Sequence, residues 1–194
     1  SLNGEGQLAF NAGKYDQAYE LYKGVLDGKQ LLKPQDTTGL TDQKNQLVDQ
    51  EYLTALSAYK AGMNKEADTL FRKLYNVNYK NPVVYQSLYL LETAEEDVDI
   101  NPAYIYIERG RELIPDDPVL LEMQIMHLKK TDQFEALIDV LLSALEKDPE
   151  NLDLEQTLGF AYDQLFQRAV SSNDRKIALE LFDKAKRSYK RVLE

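Results

Sequence analysis

Five carboxylates, Glu92, Glu95, Glu96, Asp97 and Asp99, fall within eight consecutive positions. At that density two chemistries come into view: calcium ligation, and acid–base work by a pair such as Glu92 and Glu95. A calcium loop places its oxygen ligands at a fixed spacing that this run lacks. Two carboxylates three residues apart on an exposed helix end have neither burial nor contrasting surroundings to separate their pKa values. The cluster reads as a solvated acidic turn. The one histidine, His127, sits between Met126 and Leu128 and reads as a packed structural side chain. A single histidine supports neither a His-based metal site nor a mechanism that needs several. The absence of cysteine removes thiolate nucleophiles, disulfides and Cys-based zinc or iron–sulfur sites. No glycine-rich phosphate loop, Gly-x-Ser-x-Gly elbow or His-Glu-x-x-His pair occurs. No catalytic residue, metal site or cofactor is therefore expected, and the chain reads as a non-enzyme.

The residues left to do chemistry are those that bind. Thirteen tyrosines and no tryptophan give an aromatic balance suited to a contact surface, because a phenol buries ring area while its hydroxyl still finds a partner. Which tyrosines face outward depends on the elements that carry them. A small residue, a large apolar one four places on and a third apolar or small one three further recur five times: Ala18/Tyr22/Val25, Ala67/Phe71/Leu74, Ala103/Ile107/Gly110, Leu137/Leu141/Ala144 and Ala178/Phe182/Ala185. Positions i, i+4 and i+7 share one helix face, so each set marks one packing helix. The lead residues are spaced by 49, 36, 34 and 41. A helix-turn-helix unit of about 34 residues predicts an all-α stack of hairpins.

With 194 residues, 43% of them hydrophobic and 29% charged, the chain can bury a sizeable core and is too apolar for a disordered segment. No run approaches the roughly 18 consecutive apolar residues of a membrane helix, so no membrane insertion is expected. The chain opens on Ser1 rather than Met, which reads as a trimmed product whose targeting segment, if any, is gone; either a cytoplasmic or an exported location fits. The net charge of −10 is uneven. Residues 165–194 hold eight Lys or Arg against four Asp or Glu, and the preceding residues 15 against 29, so +4 follows −14. The acidic body repels phosphate backbones and argues against general nucleic-acid binding. Lys184, Lys186, Arg187, Lys190 and Arg191 read as a solvated face near a helix C-terminus.

Proline placement sets the hairpin boundaries. Asn81-Pro82, Asn101-Pro102, Asp117-Pro118 and Asp148-Pro149 each put a side-chain acceptor at a predicted N-cap with proline in the first turn. Gly13 and Gly62 mark the turns inside the first two hairpins. The predicted hairpins are 2–27, 42–79, 82–115, 118–148 and 150–194, ten helices in a single domain. An insertion at about 28–41 absorbs the long first interval, its apolar Leu31, Leu32 and Leu40 folding back onto the stack. The interval of 41 exceeds 34 by 7, about two turns, which lengthened helices around Ala169 to Asp174 absorb without changing the packing face.

At Gly13-Lys14-Tyr15-Asp16-Gln17-Ala18, Leu158-Gly159-Phe160-Ala161-Tyr162 and Ala144-Leu145-Glu146-Lys147-Asp148-Pro149 the chain resembles the tetratricopeptide-repeat family. It departs from the family in lacking tryptophan and in placing Leu137, with Ala136 beside it, where a small residue is usual. The resemblance implies a right-handed superhelical solenoid of about five hairpins whose first helices line a concave groove. The family register implies inward stripes Asn3/Gln7/Phe10, Tyr52/Leu56/Tyr59, Leu88/Glu92/Glu95, Glu122/Met126/Lys129 and Gln156/Phe160/Asp163, with Tyr85, Tyr89 and Met123 alongside. Relatives that clamp a peptide carboxylate use Lys, Arg and Asn in these stripes, and that function is disfavoured by the Tyr, Leu, Glu, Met and Gln found here.

The leading expectation is a scaffold that holds a peptide or protein segment in that groove. Its contacts would be Tyr52, Leu56, Tyr59, Tyr85, Tyr89, Met123, Met126, Gln156 and Phe160, flanked by the charged Glu92, Glu95, Lys129 and Lys130. The alternative is a structural or self-association module that docks through an apolar edge of the C-terminal helix, at Phe182, Tyr189, Val192 and Leu193. A solenoid enzyme using Glu92 and Glu95 is a third reading, disfavoured for the reasons given above.

Overall fold

A computed structural model of the chain describes residues 1–31 and 40–194, with side-chain surroundings from residue 44 onward in the second stretch. The described residues contain ten α-helices and no strand. They are α1 (Leu2–Asn11), α2 (Tyr15–Leu31), α3 (Leu40–Lys60), α4 (Asn64–Asn76), α5 (Pro82–Glu92), α6 (Tyr104–Leu113), α7 (Pro118–Lys130), α8 (Phe134–Lys147), α9 (Leu152–Ser171) and α10 (Arg175–Leu193). A short 3₁₀ turn, Asn101–Ala103, leads into α6. The chain forms two compact units, residues 1–120 and 121–194. In the first, each helix from α1 to α6 packs on the next in sequence; in the second, α8 packs on α9 and α9 on α10.

The hairpin turns are built alike. Lys14, Met63, Gln133 and Asp174 each donate the backbone N–H to the carbonyl five residues back, at 2.9 Å, closing the turn after α1, α3, α7 and α9. That closure needs one residue with positive φ, which Gly13 (74°) and Gly62 (77°) supply without steric cost. Asp132 (56°) and Asn173 (59°) occupy the same place in the later hairpins, as the two side chains that best tolerate it after glycine.

Two of the four predicted caps stand as read. The Asn81 side chain accepts from Val83 N–H, and Asp117 accepts from Leu120 N–H at 2.8 Å, with Pro82 and Pro118 opening their helices. The other two are displaced. Asn101-Pro102 begins the 3₁₀ turn, and α6 starts only at Tyr104. Asp148 ends α8, while Asn151 caps α9 by accepting from Leu154 N–H at 3.2 Å. Helix α2 runs on to Leu31, so part of the predicted insertion is helical, and Leu31 is 82% exposed rather than folded back. Leu32 and Leu40 lie outside the described side chains.

The packing sets form the core. Ala67, Phe71 and Leu74, together with Ala103 and Ile107, are fully buried, and Gly110 is buried with them. Leu137 and Leu141 are equally buried, whereas Ala136 is exposed, so the fourth repeat keeps its register on the larger residue. The fifth set departs. Ala178 and Ala185 are buried but Phe182 is 48% exposed, and the ring that meets Gly159 belongs to Tyr189, seven residues further along α10. Gly6 meets the ring of Tyr22 at the same closeness, 2.8 Å from where a Cβ would stand. The two additional turns in α9 and α10 have moved the tyrosine of that contact on by seven positions while preserving the contact itself.

Candidate partner-binding surface

Helix α3 inverts the ordinary distribution of side-chain size. Thr54, Ala55, Ser57 and Ala58 are all fully buried, while Tyr52, Leu56 and Tyr59 are only half-buried. Small residues on the packed face bring neighbouring helix backbones close, which leaves the large side chains to the outer face. The Tyr52 ring packs on that of Tyr79 with centroids 5.5 Å apart, and the Tyr79 hydroxyl donates to Asp49 at 2.8 Å. Burial raises both phenols above the usual range; the Asp49 carboxylate adds to the rise at Tyr79, while a hydrogen bond with Asn81 opposes it at Tyr52. Tyr59 stands edge-on to the core ring of Phe71 at 6.1 Å.

Helix α5 repeats this burial pattern thirty residues on, with Val84, Tyr85, Ser87 and Leu88 in place of Thr54, Ala55, Ser57 and Ala58. The second helices of the same hairpins are 36 apart, from Ala67 to Ala103, so six additional residues lie in the connection between α5 and α6. Counting back from Ala103 places the α5 stripe wrongly for that reason. Tyr85 and Leu88 are core, each fully buried, and the Tyr85 hydroxyl donates to the Tyr79 carbonyl at 3.0 Å. Glu92 is ion-paired with Arg72 of α4 at 2.8 Å. Glu95 is exposed in the connection after α5, with Asp99 holding the N–H of Asn101 at 3.0 Å. Of the predicted α5 contacts, Tyr89 is half-buried at the position matching Tyr59, its phenol raised by burial.

In residues 121–194, His127 and Leu128 are buried on α7, with His127 1% exposed. Met126 is 58% exposed, Lys129 and Lys130 are exposed, and Met123 is buried. On α9 Leu158, Gly159, Ala161 and Tyr162 are buried, leaving Phe160 half-buried and Gln156 exposed. The Lys129 ammonium lies 5.2 Å from the Phe160 ring centre, near enough for a cation–π contact. Phe160 meets Phe134 edge to face at 5.9 Å, and the Arg168 guanidinium lies 4.8 Å from the Phe134 ring centre. Among the described residues, no group of three or more His, Asp or Glu side chains could hold a metal ion. No helix of the described residues is long and apolar enough to cross a membrane.

No family model matches the chain, and no curated protein matches it in sequence. Solved structures do match along nearly its whole length. The crystal structure of YrrB, a TPR protein with an unusual peptide-binding site, aligns with a TM-score of 0.56 and 18% identity over 99% of this chain and 88% of that one. A crystal structure of MamA aligns with a TM-score of 0.58 and 15% identity over 96% and 95%. MamA from Desulfovibrio magneticus RS-1 gives 0.54 and 17% over 97% and 93%. The fold is that of the tetratricopeptide-repeat family. At such identities the likeness bears on the fold, and the surface must be judged on its own residues.

Tyr52, Leu56 and Tyr59 of α3 and Tyr89 of α5 are thus partly exposed. On α7 and α9, Met126, Lys129, Lys130 and Gln156 are exposed and Phe160 is half-buried. Tyr79, Asp49, Phe134 and Arg168 escaped the sequence reading. Tyr79 lies in a connection and Phe134 at the start of a second helix, so first-helix periodicity gives no signal for either. At the C-terminal repeat, Leu179 is 67%, Phe182 48%, Tyr189 38% and Leu193 86% exposed.

Proposed function

We propose that this chain is a protein-interaction scaffold that seats an extended or helical segment of another protein along the first helices of its repeats, in the groove which that family builds there. The observation that carries the reading is the size inversion on α3: Tyr52, Leu56 and Tyr59 stand half-exposed above four fully buried small residues. Aromatic side chains held at a half-exposed surface suit a binding patch, since they bury much area with little loss of rotamer freedom. Residues 1–120 supply a tyrosine patch of Tyr52, Tyr59 and Tyr89, and residues 121–194 a patch of Met126, Lys129 and Phe160. Replacing Tyr52, Tyr59 and Tyr89 together by alanine should abolish partner capture from native extract, followed by mass spectrometry, with helicity retained. Undiminished capture would refute the reading.

The exposed apolar row on α10 favours a second reading, docking of that edge on another copy of the chain. Sedimentation equilibrium tests it: association that Phe182→Glu abolishes supports docking through this edge, and a monomer at high concentration removes it.

A further inference from the structure

The junction between α4 and α6 is closed by side chains. The rings of Tyr75 and Tyr106 meet edge to face at 5.3 Å. Arg72 lies 5.7 Å from the Tyr106 ring centre and donates to its hydroxyl at 2.6 Å, while Asp68 and Glu92 each hold the guanidinium at 2.8 Å. Counted from Ala18, Ala67 and Ala103, the same three positions at the preceding junction, between α2 and α4, are Lys23, Leu26 and Leu70. Two leucines stand where the next junction has two tyrosines, and there a cleft of about 310 Å³ opens over Thr54 of α3. Leu26 and Leu70 give it an apolar lining, and the buried Tyr19 of α2 forms one wall. At the rim stand Lys23, Lys65 and Lys73 against Asp27 and Glu66, with Lys23 paired to Asp27 at 2.7 Å.

We infer that this cleft is a second docking site, on the second-helix side of the repeats, that receives one aromatic side chain from an acidic segment of a partner protein. The chain itself shows what fits: in the homologous junction the space is filled by aromatic rings, and a cation caps the phenol. Here the cations are present, and Leu26 and Leu70 stand in place of those two rings. A cleft near the small end of the range for ligand pockets, about 300–1,000 Å³, suits one side chain rather than a whole segment. The excess of rim lysines selects carboxylates on either side of that residue, chiefly through encounter rate and orientation. The site shares no residue with the tyrosine patch of the first helices and does not depend on the function proposed for it.

Methyl-resolved NMR of the full chain tests the inference, with acetyl-Asp-Tyr-Asp-amide as the probe. Saturable shifts at the methyl groups of Leu26 and Leu70 are expected, and acetyl-Lys-Tyr-Lys-amide should bind at least about fivefold more weakly, the scale of one exposed ion pair. Leu70→Tyr, which copies Tyr106, should fill the cleft and abolish the response, as should Leu26→Tyr. Lys65→Glu with Lys73→Glu, at exposed positions that leave the fold intact, should weaken the acidic peptide by a similar factor. Alanine at Tyr52, Tyr59 and Tyr89 should leave the titration unchanged, so failure here and failure of the first-helix surface are separately visible. Absence of shifts at millimolar peptide, an equal response to the lysine peptide, or a response that survives the filled cleft or the charge reversal would each overturn it.

Discussion

The Cβ of Tyr85 lies 2.9 Å from the point that a Cβ on Gly110 would occupy. Repeat three has exchanged sizes across its hairpin: α5 carries tyrosine where α1, α3 and α9 carry Gly6, Ala55 and Gly159, and α6 carries glycine where α4 and α8 carry Leu74 and Ala144. Each departure is tolerated because of the other. Gly110→Ala should therefore destabilise the protein by about 1–3 kcal/mol in denaturant unfolding, since the new methyl meets Tyr85 Cβ and, at 3.0 Å, Leu120 Cδ1. Gly24→Ala is the control. That helical glycine has no neighbour within 4 Å of the added carbon, so the change should stabilise by up to about 1 kcal/mol. Equal signs for the two substitutions would contradict the account.

Arg72 joins three helices of residues 1–120, through Asp68 on its own helix, Glu92 of α5 and the Tyr106 hydroxyl of α6. Its side chain is 45% exposed, so each ion pair is screened and contributes at most about 1 kcal/mol. Arg72→Ala should cost about 1–2 kcal/mol, and Arg72→Lys should recover little of it, because an ammonium cannot reproduce the fork and the stacking on Tyr106. Urea unfolding of both variants checks this. Full recovery by lysine would show that charge alone matters.

Glu155 is 5% exposed and pairs with Arg191 at 3.0 Å, and Arg191 also donates to the Pro149 carbonyl at 3.0 Å. This contact ties the last turn of α10 to the start of α9. Arg191→Ala leaves a buried carboxylate without its counter-charge and should cost about 1–3 kcal/mol. Lys190→Ala removes only a pair whose two side chains are 72% and 66% exposed, and should be nearly neutral. Hydrogen exchange in residues 185–193 should accelerate in the first variant alone, and Glu155→Gln should offset part of the loss.

Burial raises the Tyr85 phenol from its ordinary 10.0 to about 12, with Arg109 opposing the rise and Tyr75 adding to it. In the unfolded chain that phenol ionises near its ordinary value, so between roughly pH 10 and 12 the native state binds more protons than the unfolded one. Its contribution to stability is complete below pH 10 and declines as pH rises towards 12. The melting temperature should fall across that window, and the fall should be shallower in Tyr85→Phe, which has a lower starting stability from the lost hydrogen bond to Tyr79. A slope identical in the two proteins would exclude Tyr85 as its source.

Periodicity and punctuation made the hairpins legible in the sequence, because the i, i+4, i+7 sets, the N-cap acceptors before proline and the glycines at left-handed turns are local properties of the chain. On α3, α7 and α9 the predicted contact residues other than Met123 are at least partly exposed, since the spacing of these helices from the following helix is regular or lengthened by whole turns. The acidic cluster at Glu92 to Asp99 was legible as exposed, though the hydrogen bond that Asp99 accepts from Asn101 N–H was not. Tertiary structure alone decided the rest. The register of α5 depends on how much chain lies in the connection before α6, and six residues there turned Tyr85 and Leu88 inward. The cleft over Thr54 arises from side chains of two helices that are not consecutive in the chain, so Leu26 and Leu70 carry no sign of it. Local spacing determines which residues share a face of one helix; the packing of neighbouring helices determines which face is covered.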